Sequence, residues 1–210
     1  INYNKIPTFT EIIDFNNIFN KEYYHDDENY KAAINLTNAF FNNENYQNIF
    51  IKVNFINGAF KTVIADTMGV AIRISNNIKN IDTRLANQDF SLIDEISKYE
   101  SKSGKKRYNF SFATKYCHCH YPEKFPINDR YVRQSLVNYN SKVKFHNFKS
   151  SDLLFYERFV EIINLFREKV KAASPKSETI KYSELDRFLW ALGREYFAEK
   201  QMQKNSASLN

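Results

Sequence analysis

Phe110-Ser111-Phe112-Ala113-Thr114-Lys115-Tyr116-Cys117-His118-Cys119-His120, and beyond Pro122 the run Phe125-Pro126-Ile127-Asn128-Asp129-Arg130-Tyr131-Val132, is the stretch on which the reading of this chain turns. The first run reads as a helix over Ser111–His120. Pro122 and Pro126 break the chain, and a second helix is expected over Ile127–Tyr139. Lys115 and Asp129 therefore stand fourteen residues apart at the ends of successive short elements, an amine and a carboxylate that can share one cleft. Both cysteines, two of the four histidines and two of the four prolines fall in the same segment, in a chain otherwise rich in Asn, Ile, Lys, Phe and Tyr.

Working outward, the pattern is helix after helix. Apolar residues recur at three- and four-residue steps from Glu11 through Phe19, behind Thr8 and Thr10. Further helices are expected over Tyr30–Phe41, Asn45–Phe60 with Ile49, Val53, Ile56 and Phe60 on one stripe, and Phe90–Tyr99. A long helix over Thr62–Ile78 is apolar on most faces and expected to be central. Two strongly patterned helices close the chain, Leu153–Ala172 and Tyr182–Glu199, separated by a loop at Ser174-Pro175-Lys176-Ser177. Four glycines and four prolines leave few tight turns for a sandwich or barrel, so the expected class is mainly α, as one domain over 1–203 with a frayed tail at 204–210.

At 210 residues and 43% hydrophobic the chain can bury a sizeable core, and 16% aromatic content means that large rings fill much of it. Two cysteines one residue apart cannot build a disulfide framework, which points to reduced thiols and a cytoplasmic protein. No run of about 18 apolar residues is present to argue for a membrane span, and no cationic stretch followed by an apolar core opens the chain. A formal charge of +6 and a pI near 9.1 favour a polyanionic partner. Lys102, Lys105, Lys106, Arg107 and Lys115 cluster before and within the central segment, with Arg130 and Arg133 after it; the alternative for Lys102–Arg107 is a solvated loop.

The consecutive Cys117-His118-Cys119-His120 suggests a metal, but neighbours on a helix point about 100° apart and cannot converge on one ion, so no metal is expected. Cys117 reads as a small buried group. His118 or Cys119, one turn past Lys115, reads as pocket wall, with polar surface histidines as the alternative.

Ser111-Phe112-Ala113-Thr114-Lys115 resembles the hairpin of the helix-hairpin-helix DNA glycosylases, where small and apolar residues lead into a helix bearing a nucleophilic lysine. Pro126-Ile127-Asn128-Asp129-Arg130-Tyr131-Val132 is similar to that superfamily's proline-aspartate segment, and the pairing of lysine with aspartate is closest to the 8-oxoguanine glycosylase branch and its bacterial relatives. The resemblance implies a helix-hairpin-helix-like motif around residues 100–120 and a core over about 50–140. Ser111 and Ala113 stand where most members carry glycines, and one extra residue separates Pro126 from Asp129.

What the resemblance implies is a monomeric, cofactor-free DNA N-glycosylase with AP-lyase activity, acting on double-stranded DNA that carries a modified base, in the nucleoid of a bacterium. Lys115 would be the nucleophile and Asp129 the carboxylate that stabilises the oxocarbenium-like sugar. An attacking amine must be neutral, which burial and the positive end of a helix favour. Asn57, in the segment Val53–Phe60, together with His118, Cys119, Trp190 and Phe188, would border the base; Lys105, Lys106, Arg107, Ser111, Ala113, Arg130, Tyr131 and Arg133 would meet DNA. The alternatives are a non-catalytic helical DNA-binding module, or a partner-binding helical domain, with Lys115 an exposed lysine, Asp129 a helix cap or a partner of Arg130 or Arg133, and Trp190 a core residue.

Overall fold

The computed structural model describes residues 3–100, 104–174 and 179–207. Lys102, residues 175–177 of the expected loop and residues 208–210 of the expected tail lie outside the described residues. The fold is mainly helical. In chain order the elements are α1 (Phe9–Glu22), α2 (Tyr24–Ala39), α3 (Tyr46–Ala59), α4 (Thr67–Asn77), α5 (Ile81–Ala86), α6 (Ser91–Ser97), β1 (Lys98–Glu100), β2 (Lys106–Tyr108), α7 (Phe110–His120), α8 (Arg130–Val143), a 3-10 turn (Ser150–Leu154), α9 (Tyr156–Ala172) and α10 (Tyr182–Ala207). No helix among the described residues is long and apolar enough to cross a membrane.

Local chemistry sets the helix starts. Thr8 and Glu11 cap α1 reciprocally: the Glu11 carboxylate accepts from the Thr8 N–H at 2.8 Å, and the Thr8 hydroxyl accepts from the Glu11 N–H at 3.2 Å. Asn45, Asp66 and Asp129 cap α3, α4 and α8 with side-chain oxygens that accept from backbone N–H groups.

The chain groups into two compact units, Phe19–Asn128 on the one hand and Ile1–Ile18 with Asp129–Asn210 on the other. In the first, Ile49, Val53 and Ile56 of α3, Val70 and Ile74 of α4, Ile93 and Ile96 of α6, and Phe112 and Tyr116 of α7 are buried. In the second, Phe15 meets Phe188 edge-on at 5.4 Å, Tyr139 meets Phe166 at 5.0 Å, and Leu136, Phe159, Ile163 and Leu189 fill the space between. There α8 and α10 approach closely at Gly193, where a Cβ would fall 2.2 Å from the Tyr131 carbonyl oxygen.

Several boundaries differ from expectation for identifiable reasons. The fourth helix starts at Thr67, not Thr62, because Asp66 caps it and the Asn57 side chain brackets residues 62–64: its Oδ1 accepts from the Thr62 hydroxyl at 2.7 Å and the Ile64 N–H at 2.9 Å, and its Nδ2 donates to the Ile64 carbonyl at 3.1 Å. Lys61 and Val63 take positive φ in this loop. Nor is α4 central on most faces, since Met68 and Ile72 are exposed. The helix expected to reach Tyr99 stops at Ser97, where an antiparallel ribbon begins, Lys98 opposite Tyr108 and Glu100 opposite Lys106. Tyr99 turns inward there and its hydroxyl donates to Asp66. Between α6 and α7 the described residues form the two strands of a β-ribbon, and Ser111–Ala113, expected in a hairpin, lie inside α7. At the far end, α10 continues past Gln203 to Ala207.

One polar network ties the first unit together. Lys52, on the apolar stripe of α3, is fully buried. Its ammonium donates to the Asn42 carbonyl at 3.0 Å, to Asn43 Oδ1 at 2.7 Å, to the Phe41 carbonyl at 3.4 Å and to His120 Nε2 at 3.3 Å, all uncharged partners. Asn43 in turn accepts from the Tyr116 hydroxyl and donates through its backbone and side-chain nitrogens to Asp82. Burial pulls the Lys52 amine down to about 8, against the pull of the Asp82 carboxylate. His120 lies well below its ordinary value, through burial first and the Lys52 charge second. The network anchors the segment 41–43 and the last turn of α7 to α3.

An unfolded lysine holds its proton up to about pH 10.5, so between pH 8 and 10.5 the unfolded chain binds more protons at this position and stability rises with pH. Across that window the rise due to Lys52 is about 3 kcal/mol. In urea unfolding at pH 8 and pH 10.5, Lys52→Met is expected to lose that increment; an unchanged increment would show that the amine is not held in the buried state described.

Candidate functional site

On α7 the lysine singled out from sequence is buried, the sixth residue of the helix and in its second turn rather than its first. Its Nζ donates to the Ser111 hydroxyl, one turn back, at 3.0 Å and lies 5.6 Å from the centre of the Phe60 ring. Phe60, just past the end of α3, meets Tyr30 of α2 edge-on at 6.1 Å. The Tyr30 hydroxyl and His118 Nε2 are 2.9 Å apart, and His118 Nδ1 is 2.7 Å from the Phe125 carbonyl. A carbonyl only accepts, so Nδ1 carries a hydrogen, and in the neutral ring Nε2 accepts the Tyr30 hydroxyl. An amine, two aromatic rings, a serine hydroxyl and an oriented imidazole thus form one continuous wall, built from α2, the end of α3 and α7.

The other residues expected to act in this unit fall variously. His118 and Cys119 are buried members of α7, not surface groups, and so are Cys117 and His120. The four side chains diverge: His118 to Tyr30, Cys119 to Thr37, His120 to Lys52, and Cys117 into the core. Burial pushes both thiols up, away from a reactive thiolate. Among the described residues no three His, Cys, Asp or Glu side chains gather where a metal ion could sit. Asn57 braces the 61–65 loop. Ser111 serves as the partner of the Lys115 amine. Ala113 is fully buried with its N–H donated to the Asn109 carbonyl, so its backbone is not presented to a phosphate. Lys105, Lys106 and Arg107 are exposed on the β-ribbon, beside Tyr108, whose ring stacks on Phe110 at 5.7 Å.

In the other unit, Asp129 is the N-cap of α8; one carboxylate oxygen accepts from the N–H groups of Tyr131 at 2.9 Å and Val132 at 3.1 Å. Arg130 is exposed, with its guanidinium 4.6 Å from the Tyr131 ring centre, whereas Arg133 is half-buried and burial lowers its pKa against the opposing effect of Asp129. Trp190 is half-buried, met edge-on by Tyr131 at 5.7 Å and covered by Arg194 at 5.2 Å. Phe188 is fully buried against Phe15, a core position rather than a base-stacking one.

Tyr30, Phe60 and Lys52 join these settings without having stood out in the sequence as site residues. Tyr30 and Phe60 carry no spacing cue, since both reach the wall from other helices. Lys52 does carry one, because a lysine three residues after Ile49 and four before Ile56 sits on the apolar stripe of its own helix.

A protein of Haemophilus influenzae, described as uncharacterized, is 38% identical to this chain over 145 residues, covering 69% of the chain and 66% of the relative's length. No solved structure gives a significant match. A family model for an N-terminal domain, HI_0787_N, matches residues 11–124, more than half of the chain and nearly all of the unit that carries the Lys115 wall. The chain belongs to the HI_0787_N family, and the matched region contains the buried lysines of both α3 and α7.

Proposed function

We propose that this chain is a DNA N-glycosylase with AP-lyase activity, acting on a modified base in double-stranded DNA, with Lys115 as nucleophile and Asp129 as the carboxylate that stabilises charge on the sugar. The observation that carries the reading is the setting of Lys115: a buried amine over the Phe60 ring, steadied by the Ser111 hydroxyl and flanked by the Tyr30–His118 pair. The neutral amine would form a bond to the anomeric carbon as the bond to the base breaks. The base leaves with the electron pair and takes up a proton, and opening of the sugar gives a Schiff base from which strand scission can follow. Aromatic surroundings suit an extruded base. No cofactor enters this chemistry, and the protein is read as a monomer of the bacterial cytoplasm, associated with the nucleoid. The exposed cations of the ribbon would hold the phosphate backbone.

Borohydride reduction in the presence of duplexes carrying a panel of modified bases tests the reading. Wild type is expected to yield a covalent protein–DNA adduct with at least one duplex, and Lys115→Gln to yield none while binding DNA with similar affinity. Wild type that binds these duplexes but gives neither an adduct nor base release with any of them would leave a non-catalytic DNA-binding module in its place.

Asp129 separates two roles by substitution. Asparagine caps helices about as well as aspartate, so Asp129→Asn should cost less than about 0.5 kcal/mol of stability, whereas Asp129→Ala should cost about 1 kcal/mol. Single-turnover base excision should nevertheless fall about 100-fold in Asp129→Asn, because the charge acts on the transition state. Equal excision by Asp129→Asn and wild type would confine Asp129 to capping.

Replacing Lys105, Lys106 and Arg107 together by glutamine should weaken binding to any duplex and make its salt dependence shallower by about 0.9 for each phosphate no longer neutralised. Unchanged affinity at low salt would make the ribbon a solvated surface.

A further inference from the structure

The second unit carries a surface that the Lys115 chemistry does not use. Arg130, the first residue of α8, has its guanidinium beside two rings that touch each other, 4.6 Å from the centre of Tyr131 and 5.5 Å from that of Phe197, and it donates to the Tyr131 hydroxyl at 2.6 Å. Tyr131 meets Phe197 and Trp190 edge-on, each at 5.7 Å. Arg194 covers Trp190 at 5.2 Å, and Lys200 lies 5.7 Å from the Tyr196 ring centre. At 100° per residue, Trp190, Arg194, Phe197, Lys200 and Lys204 share one side of α10, bounded at its start by Asp186. Glu195 and Glu199 point the other way, where they act on Tyr3. Arg130, Arg194, Phe197, Lys200 and Lys204 are all exposed.

We infer that this face of α10, with the first turn of α8, is a second nucleic-acid contact surface, gripping the phosphate backbone through cations held in place by aromatic rings. A guanidinium already restrained beside aromatic rings has less side-chain entropy to lose when it meets a phosphate. Arg194 to Lys204 covers about 15 Å of helix, enough to follow several phosphates of a strand. On this side of the helix every charged residue from Arg194 to Lys204 is cationic, which suits a polyanion. The surface requires no catalysis and stands even where Lys115 proves inert.

The test is fluorescence anisotropy with an undamaged labelled duplex of about 20 base pairs, titrated at several salt concentrations. The combined variant Arg130→Gln, Arg194→Gln, Lys200→Gln is expected to bind at least ten-fold more weakly near 100 mM salt, with a slope shallower by about 0.9 for each phosphate that is no longer neutralised. Phe197→Leu keeps every charge but removes a ring beside Arg130; it should weaken binding several-fold with the slope unchanged. Arg194→Gln alone changes one exposed residue, and circular dichroism of each variant confirms that the helices persist. Wild-type affinity in the folded combined variant and in Arg194→Gln overturns the proposal, as does displacement of the duplex by polyglutamate at equal charge concentration, which would make the surface a site for acidic protein.

Discussion

A lysine ammonium removed from water must be solvated by the protein, and Lys52 obtains that solvation from two backbone carbonyls, one amide oxygen and one imidazole nitrogen. These partners come from the segment between α2 and α3 and from the end of α7, so satisfying one buried charge fixes where three helices meet. Asn43 extends the arrangement to Asp82 and α5, placing a carboxylate at one remove from the ammonium. Removing any member leaves a buried polar group without its partner, which costs more than the net value of the bond itself.

The consequence for chemistry runs along α7. Its last turn is held by His120 and Tyr116, and its second turn carries Lys115, less than two turns away. The proposed role as nucleophile would need a fixed approach, and both the helix and the amine are restrained, the amine by Ser111 and the ring of Phe60. The two buried lysines differ in kind. Lys52 is fully enclosed and satisfied by groups that hold the fold, whereas Lys115 lies on the aromatic wall shared with Tyr30 and His118.

Much of the helical frame was legible because buried stripes leave a 3.6-residue period: Ile49, Val53 and Ile56, or Phe159, Ile162, Ile163 and Phe166. The Asp129 cap was legible as one of two alternatives. What escaped depends on interactions remote in sequence. The strands 98–100 and 106–108 pair where Tyr99 turns inward to Asp66, 33 residues away. The short helix α5 restarts after Asn80 in a left-handed conformation that its sequence does not advertise. Within the site, the helix bearing Lys115, His118 and Cys119 could be read, but the rings facing it, Tyr30 and Phe60, come from elements 55 to 85 residues upstream.

In the proposed mechanism one particular amine, that of Lys115, meets the sugar. Peptide mass spectrometry of the borohydride-reduced protein–DNA adduct tests it most directly, by locating the modified residue. The sugar remnant is expected on Lys115, in the α7 peptide. Modification of Lys52 or of a ribbon lysine, with Lys115 untouched, would contradict it.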